Sequence, residues 1–375
     1  MKETEVPLHG AKTPLPAGVA IALLAAGLFG ASTPFAKLLL GEVPPVLLAG
    51  LFYFGSGVGL SLVRLVRRQS RVSALEAALP RAQWPWLAGA VLFGGVLGPV
   101  LLMLGLQRTA AATASLLLNL EGVFTALLAW FVFRENFDRR IALGMVAIVA
   151  GGLVLSWQPG AGLTISTGAL LVAGACLCWG VDNNLTQKVS SSDPFQIAAI
   201  KGLVAGSVNL AIALALGAHL PDFKVLCEAL VVGFFGYGLS LACFVLALRH
   251  IGTARTGAYF SLAPFVGAAV ALPLLHESIG PFFVAAGVLM GVGVWLHLTE
   301  RHEHQHAHEL LEHAHRHVHD EHHQHEHAAD SDPTEPHTHL HVHDPLTHSH
   351  PHFPDIHHRH GHTAKHDVTE QVASD

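Results

Sequence analysis

From residue 17 to residue 298 the chain is a nearly unbroken succession of apolar runs, and beyond residue 301 it is polar. A helix that crosses the hydrocarbon core of a bilayer needs about 20 mainly apolar residues. Ten runs meet that requirement: 17–40, 44–66, 84–106, 109–133, 139–157, 166–189, 195–217, 227–248, 254–275 and 281–298. The links between them are short and carry helix breakers, among them Pro44-Pro45, Pro159-Gly160, Asp193-Pro194, Pro221-Asp222 and Gly280-Pro281. A membrane β-strand would alternate apolar and polar positions over about ten residues. These runs are apolar all round, so the pattern predicts helices. Short links imply antiparallel neighbours in a bundle, and the many Gly and Ala residues allow close helix approach. The first run is longer than the roughly 7–15-residue apolar core of a cleaved signal. It is read as a retained first helix.

Composition agrees. Charged residues make up 13% of the chain and hydrophobic residues 51%, against about 25% charged in ordinary soluble domains. The formal net charge of −6 averages two unlike halves and suggests no nucleic-acid partner. Cys176, Cys178, Cys227 and Cys243 match no metal or redox spacing and are read as small packing residues. Charge asymmetry sets the orientation. With the N-terminus inside, the cytosolic side collects Lys2, Lys12, Arg64, Arg67, Arg68, Arg71, Arg81, Arg134, Arg139, Arg140, Lys188, Arg249, Arg255 and Arg301, and the outside only Lys37, Arg108 and Lys224. Both termini are therefore placed in the cytosol of a cell whose inner membrane holds the chain.

The two halves are weakly alike. Gly27-Leu-Phe-Gly30 in the first run parallels Cys176-Leu-Cys-Trp-Gly180 in the sixth, and Pro45 and Pro194 each open the next helix. Phe133-Arg134-Glu135-Asn136 ends the fourth run and Leu275-His276-Glu277-Ser278 the ninth. Five spans per copy put the copies in the membrane with opposite topology, the plan of many alternating-access carriers. On this plan and these paired junctions, residues 15–299 resemble the EamA family of the drug/metabolite transporter superfamily. The resemblance implies a secondary carrier for small metabolites such as amino acids, amines or drugs, often an exporter. A proline is common in the middle of the fourth and ninth helices of that family. Pro264 fits, whereas the fourth helix has Glu121-Gly122 at that level. The expected fold class is an all-α membrane protein. Its expected segments are a cytosolic N-terminus (1–16), a first five-span repeat (17–157), a second (158–299) and a disordered cytosolic tail (300–375).

Ionisable groups inside a span are costly and mark pathways or substrate sites. Glu121, beside Asn119 in the fourth span, is a candidate proton site or contact for a cationic substrate. Asp182, Asn183 and Asn184 cluster in the sixth span, and Lys201 lies in the seventh. Asp182 and Lys201 are each about 14–15 Å along their helices from the intervening turn, at about 1.5 Å per residue. A hairpin would therefore bring them to one depth as an ion pair, either a structural staple or a gating element. Asn209 is a further candidate. His276, Glu277 and Glu135 are read as interface or capping residues.

The tail changes the chemistry abruptly. Apart from His9, His219, His250, His276 and His297, all 29 histidines lie between His302 and His366. Candidate metal ligands are His302, His304, His306, His308, His313, His315, His317, His319, His322, His323, His325, His327, His337, His339, His341 and His343. Imidazole is a ligand for Zn²⁺, Ni²⁺, Co²⁺ and Cu²⁺. The tail is expected to bind such a metal, as a buffer or sensor or as a collector of a metal substrate. A solvated, pH-responsive extension is the plain reading. No cofactor is required for transport, and the expected partners are a small-molecule substrate, the lipid bilayer and divalent metal at the tail. The alternative function is a divalent transition-metal transporter or metal-regulated carrier. An enzyme is disfavoured: no Walker motif or loop-borne acid pair is present.

Overall fold

The structure is a computed structural model. It describes residues 17–69, 79–132, 139–158, 162–163, 165–189 and 192–299, together with four strands in the tail. Side chains at 67–69, 158, 163, 249–250 and 252–255, and throughout the tail, lie outside the description.

The apolar runs fold as helices. In chain order they are α1 (Ala17–Leu39), α2 (Pro45–Gln69), α3 (Trp84–Ala90), α4 (Gly98–Arg108), α5 (Ala111–Leu117), α6 (Leu120–Phe131), α7 (Arg139–Leu155), α8 (Thr167–Gln187), α9 (Pro194–Ala215), α10 (Phe223–Gly233), α11 (Ser240–Phe260), α12 (Ala263–Leu274) and α13 (Pro281–Leu298). Local chemistry explains their ends. Pro194 and Pro281 sit in the first turns of α9 and α13, where a missing N–H costs nothing. The Asp193 carboxylate accepts from Phe195 N at 2.9 Å, and Ser166 Oγ accepts from Ala169 N at 3.1 Å. At the far end of α9, Gly217 takes φ +84° and Ala218 N returns to Ala213 O.

Among the described residues, eight segments are long and apolar enough to cross a membrane: Ala17–Leu39, Pro45–Val66, Arg81–Arg108, Ala111–Phe131, Pro194–Ala215, Phe223–Leu248, Thr256–Leu274 and Pro281–Leu298. The runs expected as the fifth and sixth spans fold as the helices α7, of 17 residues, and α8, which carries Asp182-Asn183-Asn184, and neither is among these eight.

Two spans change helical type midway. Val91–Leu97, between α3 and α4, and Phe234–Leu239, between α10 and α11, are π-helical. Two others break: α5 gives way to α6 at Leu118-Asn119, and α11 to α12 at Ser261-Leu262. These irregularities are counterparts. Written without a gap, Phe93-Gly94 falls on Phe235-Gly236, Asn119 on Ser261 and Glu135 on Glu277.

Packing shows the same exchange. α1 lies along α11 and α12, while α8 lies along α4 and α6; α2 pairs with α9, and α7 with α13. Swapping the halves maps each pairing onto another, as two inverted repeats require. The α2–α9 pair is backbone against backbone. A Cβ on Gly57 would strike Leu203 N, and one on Gly202 would strike Gly57 N; Gly206 lies as close to Phe54. Lipid supplies no hydrophobic drive between helices, so such small-residue contacts carry association. The core follows the seam, with Leu47, Leu48, Phe52, Leu102, Met103, Leu106 and Leu116 buried.

The tail departs from the expected disorder. Glu303–Ala307 pairs antiparallel with Thr347–Pro351, and Leu311–His317 with His337–His343. Histidine at every second position is a period-two pattern, the repeat of a strand.

Candidate functional site

The polar residues of the sixth span meet the bundle where the spans are irregular. Asp182 on α8 and Lys201 on α9 are 6% and 1% exposed. Lys201 Nζ donates to both carboxylate oxygens of Asp182, at 2.6 and 2.7 Å. Thr186 Oγ1, one turn along α8, donates to Asp182 Oδ1 at 2.9 Å. The ion pair expected from matched helix depth is therefore present, with its acceptor oxygens further satisfied, as a buried pair needs.

The wall opposite the carboxylate is Gly94, in the π-helical stretch of the third span. A Cβ there would overlap the Asp182 carboxylate. A π turn frees backbone carbonyls from their usual partners, and side chains satisfy them here. Gly94 O accepts from Tyr53 Oη at 2.5 Å and from Trp179 Nε1 at 3.0 Å, and Gly95 O accepts from Asn209 Nδ2 at 3.1 Å. Asn209 is thus tied to the third span and leaves its Oδ1 buried without a partner among the described residues.

A second polar group lies one residue along α8. Asn183 Nδ2 donates to Glu121 Oε1 at 2.8 Å and to Thr125 Oγ1 at 3.2 Å. Asn184 Nδ2 donates to Gly180 O at 2.8 Å and Thr125 O at 3.2 Å. Consecutive residues of α8 thus serve two acids: Asp182 holds the lysine, and Asn183 holds Glu121. Asn119 does not join them. Its amide donates to Leu116 O at 3.0 Å and lies 3.8 Å from Met290 Sδ, so it closes the break between α5 and α6.

Aromatic rings complete the region. Phe29 lies 5.7 Å from Trp179, 5.7 Å from Tyr237 and 5.4 Å from Phe260, centroid to centroid. Tyr53 lies 5.4 Å from Tyr237, whose Oη is buried. Sequence reading missed Tyr53, Thr125, Trp179, Thr186 and Tyr237. For Tyr237 the available signal was the recurrence of Phe93-Gly94-Gly95 as Phe235-Gly236-Tyr237-Gly238.

The remaining expected residues are scattered. Glu277 lies at the far end of the bundle and binds the start of α5. Glu135 falls outside the described residues, as do His302, His308, His319, His322, His323, His325 and His327. His304, His306, His313, His315, His317, His337, His339, His341 and His343 occupy strand positions of which the backbone alone is described. Among residues with described side chains, no three His, Cys, Asp or Glu groups converge as a metal site.

The chain resembles known transporters. It is 31% identical over 282 residues to an uncharacterized transporter of Methanothermobacter thermautotrophicus, covering 72% of this chain and 82% of that one. It is 26% identical over 297 residues to a probable amino-acid metabolite efflux pump of Salmonella typhimurium, covering 74% and 93%. A solved crystal structure shares the fold, with a TM-score of 0.57 over 75% of this chain and 96% of that one, at 18% identity. The EamA-like transporter family matches residues 16–157 and again residues 166–299. This chain, a multi-pass membrane protein with a repeated helical half, therefore belongs to the EamA-like transporter family.

Proposed function

We propose that the chain is a secondary exporter of small zwitterionic metabolites of the amino-acid class, working by alternating access between two five-span repeats. In this reading α7 and α8 also cross the bilayer. That makes ten spans, with repeats at 17–157 and 158–299 and a tail from 300. Lysine and arginine crowding on one side supports cytosolic termini in a bacterial inner membrane. The name of the Salmonella relative supports amino-acid metabolites and the outward direction.

The observation that carries the reading is the buried pair of Asp182 and Lys201 beside the Glu121–Asn183 bond. A buried ion pair is poor value as a staple, because desolvation offsets most of the attraction. It suits a zwitterion. A substrate ammonium takes the place of Lys201 at the carboxylate, a substrate carboxylate takes the place of Asp182 at the lysine, and no charge is stranded. The nearby tyrosines and tryptophan suit the apolar part and attract a cation through their ring faces. Glu121, held by one amide and partly exposed, is assigned the coupling proton.

Comparing single and double neutralisation separates transport from folding. Asp182→Asn or Lys201→Met alone strands the other charge and is expected to cost about 3–5 kcal/mol of stability. Asp182→Asn with Lys201→Met is expected to restore a monodisperse, membrane-inserted protein that exports no amino acid from loaded cells. Normal export by the double variant would sink the reading.

The His register favours a second role, metal binding by the tail. Cross-strand partners include His304 with His350, His306 with His348, His313 with His341, His315 with His339 and His317 with His337, so histidines share one face of each ladder. Zn²⁺, Ni²⁺ or Co²⁺ is the proposed ion. Whether metal is also cargo is tested by the metal content of cells carrying the full chain, a chain ending at residue 301, or Glu121→Gln with Asp182→Asn. A change that survives truncation but not the core substitutions makes metal the substrate and overturns the amino-acid reading.

A further inference from the structure

Glu277 does work that the central site does not explain. α5 starts at Ala111 behind Ala110, which has no side chain able to cap a helix. The first N–H groups of a helix need partners, and here they come from the other repeat. Ala111 N donates to Glu277 Oε1 at 2.7 Å and Ala112 N to Glu277 Oε2 at 2.8 Å. Bonds to an ionised acceptor are stronger than neutral ones, and the positive end of the helix dipole adds to them.

The acid is aimed by its neighbour. His276 takes φ +52°, the left-handed conformation that ends a helix, and Glu277 N returns to Leu272 O at 3.2 Å. That turn ends α12 and directs Glu277 across to α5. The link in front of α5 is held from the other side. Lys37, at the end of α1, donates to Leu106 O and, at 2.9 Å, to Thr109 O. One acid and one base thus clamp the junction of α4 and α5, both at the end of the bundle that charge asymmetry places outside.

Behind the clamp, α5 is packed along α12 and α1. Ser115 is fully buried, and a Cβ on Gly267 would meet Ser115 Oγ and Gly30 O. Ser115 Oγ has no hydrogen-bond partner among the described residues, and the Glu277 bonds lie at the mouth of this interface.

We propose that Glu277 is the latch of the outer gate: its two bonds to the α5 amides hold α5 against α12, and opening to the outside breaks them. Lys37 is a positioning residue that keeps the α4–α5 link in reach. The inference rests on the alternating-access reading, but its test needs no substrate, so failure of the latch leaves the export experiment standing.

The reporter is Ser115→Cys in a chain whose four native cysteines are replaced by alanine, labelled in whole cells with a membrane-impermeant maleimide. With Glu277 present, labelling is expected to be slow. Glu277→Ala should raise the rate at least about 10-fold, and Lys37→Ala should raise it less. Glu277→Asp, which keeps the charge but shortens the reach, guards against a misfolded alanine variant and should fall between. Unchanged labelling in a Glu277→Asp variant that stays monodisperse, with a weaker thermal transition, would make Glu277 a structural cap only. Labelling confined to inside-out vesicles would overturn the outer assignment.

Discussion

At the scale of single residues, the site is controlled by an amino acid that carries no chemistry. Gly94 lies against the Asp182 carboxylate so closely that even a methyl group has no room, while its carbonyl takes two hydrogen bonds from Tyr53 and Trp179. Gly94→Ala must push the acid off the lysine or shift the π turn. Overpacking of this kind costs about 1–3 kcal/mol, and a disturbed buried pair adds to it. A lowered thermal transition in detergent is expected for Gly94→Ala, whereas Gly27→Ala, where a Cβ meets nothing, should be neutral. Equal transitions for the two would contradict the packing argument. Residue-scale reading of the sequence found the acids and the lysine, because charge in an apolar run is conspicuous. It could not find Gly94 or Tyr53, since glycine and tyrosine are ordinary in such runs.

At the scale of elements, deviations from regular helix do the positioning. The π segment of the third span turns the Gly94 and Gly95 carbonyls toward Tyr53, Trp179 and Asn209, and the fourth and ninth runs break at Leu118-Asn119 and Ser261-Leu262. The left-handed turn at His276 is a sharp instance. A β-branched residue tolerates φ +52° poorly, whereas glycine adopts it freely. His276→Val is expected to lower the thermal transition, and His276→Gly to leave it equal or higher, by about 1 kcal/mol in apparent stability. If the two variants melt together, the turn is not what sets Glu277 in place. Hydropathy located the helical runs well, with α7 and α8 as the marginal pair. It was blind to the π turns and the mid-span breaks, because an apolar stretch looks the same whether its bonds run to the fourth or the fifth residue.

At the scale of the whole molecule, the bundle and the tail are separable in composition. Among the described residues, the apolar seam runs from α2 to α9 on contacts made within the bundle. Truncation at residue 301 is therefore expected to leave insertion and the thermal transition of the bundle unchanged while removing binding of Zn²⁺ or Ni²⁺ measured by titration. Loss of insertion on truncation would show that the tail takes part in the fold.

The amino-acid sequence on its own determined that the chain is a multi-pass membrane protein, its helical class and its doubled plan, because transfer of apolar and charged groups into lipid is a local, additive cost that each run carries separately. It also determined that Asp182 and Lys201 share a depth, since a helical hairpin has a fixed rise. The tertiary structure alone decided that Gly94 walls the ion pair, that Asn209 is tied to Gly95 and Asn119 to its own break, and that Glu277 reaches across the repeats to α5. Those contacts depend on how two inverted halves interlock, and interlocking is set by close packing of backbones at Gly57, Gly202 and Gly206, a property of pairs of helices that no single run contains.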